Sequence, residues 1–69
     1  MEREHVESSN IESIGYDSDS QTLEIAFLNG SIYQYFDVPL QIFEDMMSAE
    51  SQGKYLAHQI KGHYRYSKV

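Results

Sequence analysis

The stretch "NGSIYQYFDVP", Asn29 to Pro39, decides the fold. Asn-Gly signals a tight turn, because both residues tolerate positive φ. Upstream lies "TLEIAFL", Thr22 to Leu28, in which Leu23, Ile25 and Phe27 recur at period two, the mark of a strand with one apolar face. "SIYQYFDV" is then the return strand of a hairpin, and two registers are open. A two-residue loop pairs Leu28 with Ser31 and sets Tyr33 and Tyr35 across from Ala26 and Glu24. Both rings would then lie away from Leu23, Ile25 and Phe27, as a stacking surface. A three-residue loop, with Gly30 as the left-handed residue of a bulge, pairs Phe27 with Ser31. Tyr33 then faces Ile25, Tyr35 faces Leu23, and Glu24 opposes Gln34. This second register gathers apolar with apolar, which a one-sided sheet requires, and is the expected one. It leaves Ile32 and Phe36 on the other face, in need of cover or a partner.

Upstream of the hairpin, Ile14 and Tyr16 alternate across Gly15 as a short strand ending at Asp17. "DSDSQ", Asp17 to Gln21, is a turn cluster. Downstream, Pro39 ends the return strand and suits a first helical position, where its missing N–H costs nothing. Leu40, Phe43, Met46 and Met47 then form one apolar stripe, expected to be core. A second helix is expected from about Ser51 to Lys61, with Leu56 and Ile60 as its apolar i, i+4 pair and Gly62 as its stop. "HYRYSKV" closes the chain as an extended segment. The fold class is α+β: a three-stranded antiparallel β-meander packed against two C-terminal helices, with a short extended C-terminal segment.

Sixty-nine residues make one domain, residues 1–69, near the lower size limit for independent folding. A core of this size rarely supplies more than about 3–5 kcal/mol of net stability. With no cysteine, no disulfide assists it, so nine aromatic residues must do much of the packing. The polar residues 1–7 are expected to be loosely ordered. No apolar run is long enough for a membrane span, and "MEREHVESSN" is too acidic for a signal peptide. The expected location is cytoplasmic. Charge is unevenly placed. All eleven carboxylates lie between Glu2 and Glu50, with Arg3 as the only base among them. From Gly53 onward there are four bases and no acid. Such asymmetry marks either a binding surface or a basic tail packed on an acidic body.

Several stretches together resemble the KTSC domain, the small module named for the lysyl-tRNA synthetase C-terminus. They are "SSNIESIGYD" (Ser8–Asp17), "TLEIAFLNG" (Thr22–Gly30), "YQYFDVP" (Tyr33–Pro39), "SQGKYLAHQI" (Ser51–Ile60) and "YRY" (Tyr64–Tyr66). The resemblance runs from about Val6 to Lys68, and Tyr33 and Tyr35 match the family's central Tyr-x-Tyr. Gln34 stands where the family often has a more basic residue, and Arg65 where it often has proline. The resemblance implies a fold and a stand-alone bacterial or phage-type copy of it, with Tyr33 and Tyr35 as structural marks. It implies no established activity. Nucleic-acid binding is suggested by attachment to a tRNA synthetase, which is association rather than physical cause.

Catalytic and metal signatures are missing. "DSDSQTLEIAFL" starts like a calcium loop but has Thr22 where glycine is needed and Leu28 where glutamate is needed. His58 and His63 are five apart, and no HExxH occurs. There is no G-x-S-x-G and no glycine-rich phosphate loop. The expectation is no enzyme, no cofactor, no metal, no small-molecule substrate and no membrane. The favoured function is a small binding or assembly module, acting through self-association or docking onto a bacterial or phage protein. The alternative is a weak RNA or other nucleic-acid binder. Lys54, His58 and Lys61 would form its basic helical stripe, extended by Arg65 and Lys68, with Tyr64 or Tyr66 as a stacking plane. Against it stands a net charge of −6, since phosphate neutralisation supplies most such affinity.

Overall fold

The "NGSIYQYFDVP" hairpin adopts the three-residue loop. This is seen in a computed structural model that describes residues 1–69. Strand β3, Thr22–Phe27, pairs with β4, Ile32–Tyr35, placing Tyr35 opposite Leu23, Gln34 opposite Glu24 and Tyr33 opposite Ile25. The Phe27 N–H donates to the Ser31 carbonyl at 2.8 Å, and the Gly30 N–H donates back to the Phe27 carbonyl at 3.0 Å. Gly30 carries φ +93°, the conformation the bulge demands and glycine tolerates.

The sheet has five strands, not the three expected. Its spatial order is β1-β2-β3-β4-β5, antiparallel throughout. β1 is Arg3–His5 and β2 is Ile11–Asp17. The N-terminal segment, without apolar alternation of its own, is held by its pairing to β2 and by Arg3. That guanidinium donates to Ser13 Oγ at 3.0 Å and pairs with Glu24 Oε2 at 2.6 Å. Arg3 lies against Gly15, where a Cβ would meet the Glu2 carbonyl oxygen at 2.5 Å. Gly15 thus permits β1 to press on the sheet. The fifth strand is the segment expected to be merely extended: β5, Tyr66–Lys68, pairs along β4. The helices lie between β4 and β5 in sequence.

Helix α1 spans Leu40–Ser48, with Pro39 in extended conformation as its cap residue, so the helix starts one position later than expected. Its inward stripe is Ile42, Phe43, Met46 and Met47, and Met46 is fully buried. Leu40, assigned to that stripe from spacing, is 47% exposed. As the first helical residue it sits before the helix reaches the sheet. Helix α2 begins at Gln52–Tyr55, where Ser51 Oγ accepts the Lys54 N–H, a side-chain N-cap. It then widens to a π-helical turn over Leu56–Ile60, closed by the Lys61 N–H on the Leu56 carbonyl at 2.9 Å.

The core lies between one sheet face and the two helices. Ile11, Ile14, Leu23, Ile25, Tyr35, Val38, Met46, Leu56 and Ile60 fill it. Tyr16 locks the α1 end: its ring stacks on Phe43 at 5.0 Å and its hydroxyl donates to the Val38 carbonyl. The opposite face is polar, with Glu24 held between Arg3 and Gln34. Ile32 and Phe36 are half-buried there. The Ile32 carbonyl accepts the Val69 N–H, and the Arg65 guanidinium covers the Phe36 ring at 5.6 Å. No helix is long and apolar enough to cross a membrane.

Candidate functional site

The helices leave part of the core face uncovered beside Tyr33 and Tyr66. The uncovered part is a half-open groove of about 580 Å³. Four aromatic rings make its floor: Phe27, Tyr33, Tyr35 and Tyr66. Strand geometry gathers them. Tyr33 and Tyr35 alternate on β4 with Gln34 facing away, and Tyr66 lies directly across from Tyr35. The Tyr66 ring sits 6.0 Å from Tyr33 and 5.9 Å from Tyr35, tilted about equally to both. Phe27 meets Tyr33 edge-on at 5.7 Å.

The rings differ in exposure. Tyr35 is 3% exposed and belongs to the core, Tyr33 is half-buried, and Tyr66 is 63% exposed. The Tyr-x-Tyr pair therefore supports the core with one ring and offers part of the other to the groove. Burial pushes the Tyr35 hydroxyl above the usual phenol range, and its neighbours Tyr33 and Tyr66 add to the shift. It stays protonated at neutral pH and can donate a hydrogen bond.

One wall is Lys61 and Gly62, at the end of α2. The rim carries neutral polar side chains, Asn10, Asn29 and Ser31. No carboxylate lines the groove, although the chain has eleven. Lys68 lies opposite Tyr33 on β5, and the alternation of the strand puts it on the same face.

The five cations expected to act together are divided by the fold. Lys54 and His58 are exposed on α2. Lys61 leaves the helix with extended backbone, φ −61° and ψ 128°, so the stripe Lys54, His58, Lys61 is interrupted. Arg65 pairs with Asp37 at 2.7 Å and caps Phe36 on the opposite sheet face. Lys54, Lys61 and Lys68 form no ion pair. Of the C-terminal bases, Lys61 lines the groove, and Lys68 lies beyond it on the same sheet face, opposite Tyr33. Sequence reasoning placed Phe27 in a strand and Asn29 in a turn but assigned neither of them, nor Asn10, to a site. The period-two position of Phe27, on the same face as Tyr33, is the signal that could have found it.

An aromatic floor with a lysine in its wall, on a small helix-backed sheet, is the main concave feature of the surface described above. Residues 7–64 match the KTSC domain, and the chain belongs to the KTSC domain family. It is 43% identical to a KTSC domain protein from Yersinia pestis of solved structure, with a TM-score of 0.93 over 99% of this chain and 96% of that one. An uncharacterised protein of Stutzerimonas stutzeri is 36% identical across 100% of this chain and 99% of its own length. A lysine–tRNA ligase of Trichormus variabilis is 41% identical over 91% of this chain, which spans only 11% of that ligase. The same unit thus occurs alone and as a small part of a larger enzyme.

Proposed function

We propose that the chain is a non-catalytic binding module whose groove takes unpaired nucleotides of a single-stranded nucleic acid, RNA foremost. The observation that carries this reading is the groove's composition. Exposed tyrosine faces stack on bases of any sequence, and such stacking contributes about 1–3 kcal/mol per base. Lys61 in the groove wall and Lys68 on the same sheet face supply phosphate contacts, with no carboxylate in the lining to oppose them. Lys61 in the wall, with no carboxylate in the lining to offset it, argues against a cationic ligand. With a net charge of −6, affinity is weak and falls steeply with salt. The test is a titration with labelled single-stranded RNA at low salt, comparing wild type with Tyr66→Ala. A loss of roughly 5- to 150-fold in affinity is expected, the span of one stacked base. Unchanged affinity in the variant would refute the groove.

A second reading has its own observation. β5 is an edge strand with exposed residues, and an edge of this kind accepts a protein strand. The protein-partner function expected from sequence would be served there.

A further inference from the structure

The phase of the β4–β5 ladder says what the β5 edge offers, and the inference drawn from it rests on the protein-partner reading of that edge. The Phe36 N–H donates to the Arg65 carbonyl at 2.9 Å, and the Val69 N–H donates to the Ile32 carbonyl at 2.8 Å. Tyr35 stands opposite Tyr66 and Tyr33 opposite Lys68. Together these facts assign the alternation. Arg65, Ser67 and Val69 turn their backbone groups toward β4, while Tyr66 and Lys68 turn theirs outward. Two N–H and two C=O groups therefore face away from the sheet along an exposed terminal strand, spaced as one antiparallel partner requires.

We infer that this partner is a second copy of the chain, β5 against β5, about a two-fold axis through Ser67. In an antiparallel pair, outward-bonding residues must meet outward-bonding residues. Three symmetric registers do this. Lys68 on Lys68 sets like charges opposite one another, which is unfavourable. Tyr66 on Tyr66 leaves Lys68 facing Tyr64, which lies outside the strand. Tyr66 on Lys68 uses all four outward groups of each copy and sets each ammonium beside a tyrosine ring. Ser67 then meets Ser67 of the second copy, a small pair without steric conflict. Tyr66 and Lys68 lie on the groove's face, so the two grooves run into one another across the joined sheets. Each copy contributes Lys68 to the rim of the other's floor. The contact is small and both chains carry −6, so the dimer is weak and gains from salt, which screens the repulsion. Nucleic-acid binding has the opposite salt dependence.

The chain lacks cysteine, which makes a cross-link test clean. In the inferred register, Ser67 and its copy form a non-hydrogen-bonded pair with Cα atoms about 4.5 Å apart, within disulfide range. Under mild oxidation Ser67→Cys should form a disulfide dimer at least about tenfold faster than Ser18→Cys, placed in an exposed turn. Adding Lys68→Pro should abolish the difference. Proline removes an outward N–H and is tolerated at a sheet edge, so β4 pairing survives, as circular dichroism would verify. Sedimentation of the wild type at millimolar concentration should give a mass rising toward twice that of one chain, more so at higher salt. Equal cross-linking of the two cysteine variants, or a monomer at millimolar concentration, overturns the self-pairing. If that monomer holds a protein partner which Lys68→Pro releases, the protein-edge reading survives; a monomer indifferent to Lys68→Pro sinks both.

Discussion

Tyr35 and Tyr66 touch the same groove and should fail in opposite ways. Tyr35 is 3% exposed, lies across from Leu23, and belongs to the core cluster. Truncating a buried aromatic residue costs about 3–5 kcal/mol, transfer and cavity together. A core of this size supplies about 3–5 kcal/mol in all, so Tyr35→Ala should be largely unfolded at room temperature. Tyr35→Phe keeps the ring and removes a hydroxyl for which no protein hydrogen bond is found, so it should lose no more than about 1 kcal/mol. Tyr66 is 63% exposed and meets Tyr33 and Tyr35 only as tilted neighbours. Tyr66→Ala should cost about 0.5–1.5 kcal/mol, the worth of an aromatic pair, and remain folded. Urea denaturation followed by far-ultraviolet circular dichroism reads all three. If Tyr35→Ala unfolds with a midpoint close to wild type, the assignment of that ring to the core is wrong.

Further outcomes follow from the sheet's polar face and its turns. Hydrogen bonding from Gln34, then the Arg3 pair, holds the Glu24 carboxyl below the usual carboxylate range against the opposing effect of burial. A depressed folded-state pKa contributes stability above the unfolded value that is lost as pH falls through the folded one. Acid titration of stability should therefore show a decline that Glu24→Gln flattens, measured by urea midpoints at a series of pH values. Gly15→Ala drives a Cβ into the Glu2 carbonyl oxygen and should cost about 1–3 kcal/mol. Hydrogen exchange should show lost protection at Arg3–His5 while β3 stays protected. Gln21 holds φ +54° without being glycine, so Gln21→Gly should raise the thermal midpoint, a gain of up to about 1 kcal/mol.

Local chemistry was legible where it acted over a few residues. The Asn29–Gly30 turn and the match of Leu23, Ile25 and Phe27 with Tyr33 and Tyr35 were enough to select the hairpin register. The Leu56–Ile60 pair marked the buried face of α2. Non-local pairing was not legible. β1 and β5 are three residues each, and Arg3-Glu4-His5 has no apolar face; these strands exist because β2 and β4 offer free edges. Leu40 was misplaced because spacing alone does not tell where a helix first meets its sheet. The same limit governs the site. The π-turn at Leu56–Ile60 has no sequence mark, yet it ends the helix before Lys61 and turns that residue to the groove. Arg65 looked like a member of the basic stripe until β5 placed it on the other face with Asp37. The groove draws Phe27, Tyr33, Lys61 and Tyr66 from four separate segments, so only the fold assembles it.

The central claim is that the open aromatic face of β4 and β5 is the binding surface. Amide chemical-shift mapping during titration with single-stranded RNA at low salt tests it most directly. The account predicts saturable shifts clustered at Phe27, Tyr33, Lys61 and Tyr66, fading as salt rises. Shifts confined to Lys54 and His58 on the outer side of α2, or none at high micromolar RNA, would contradict it.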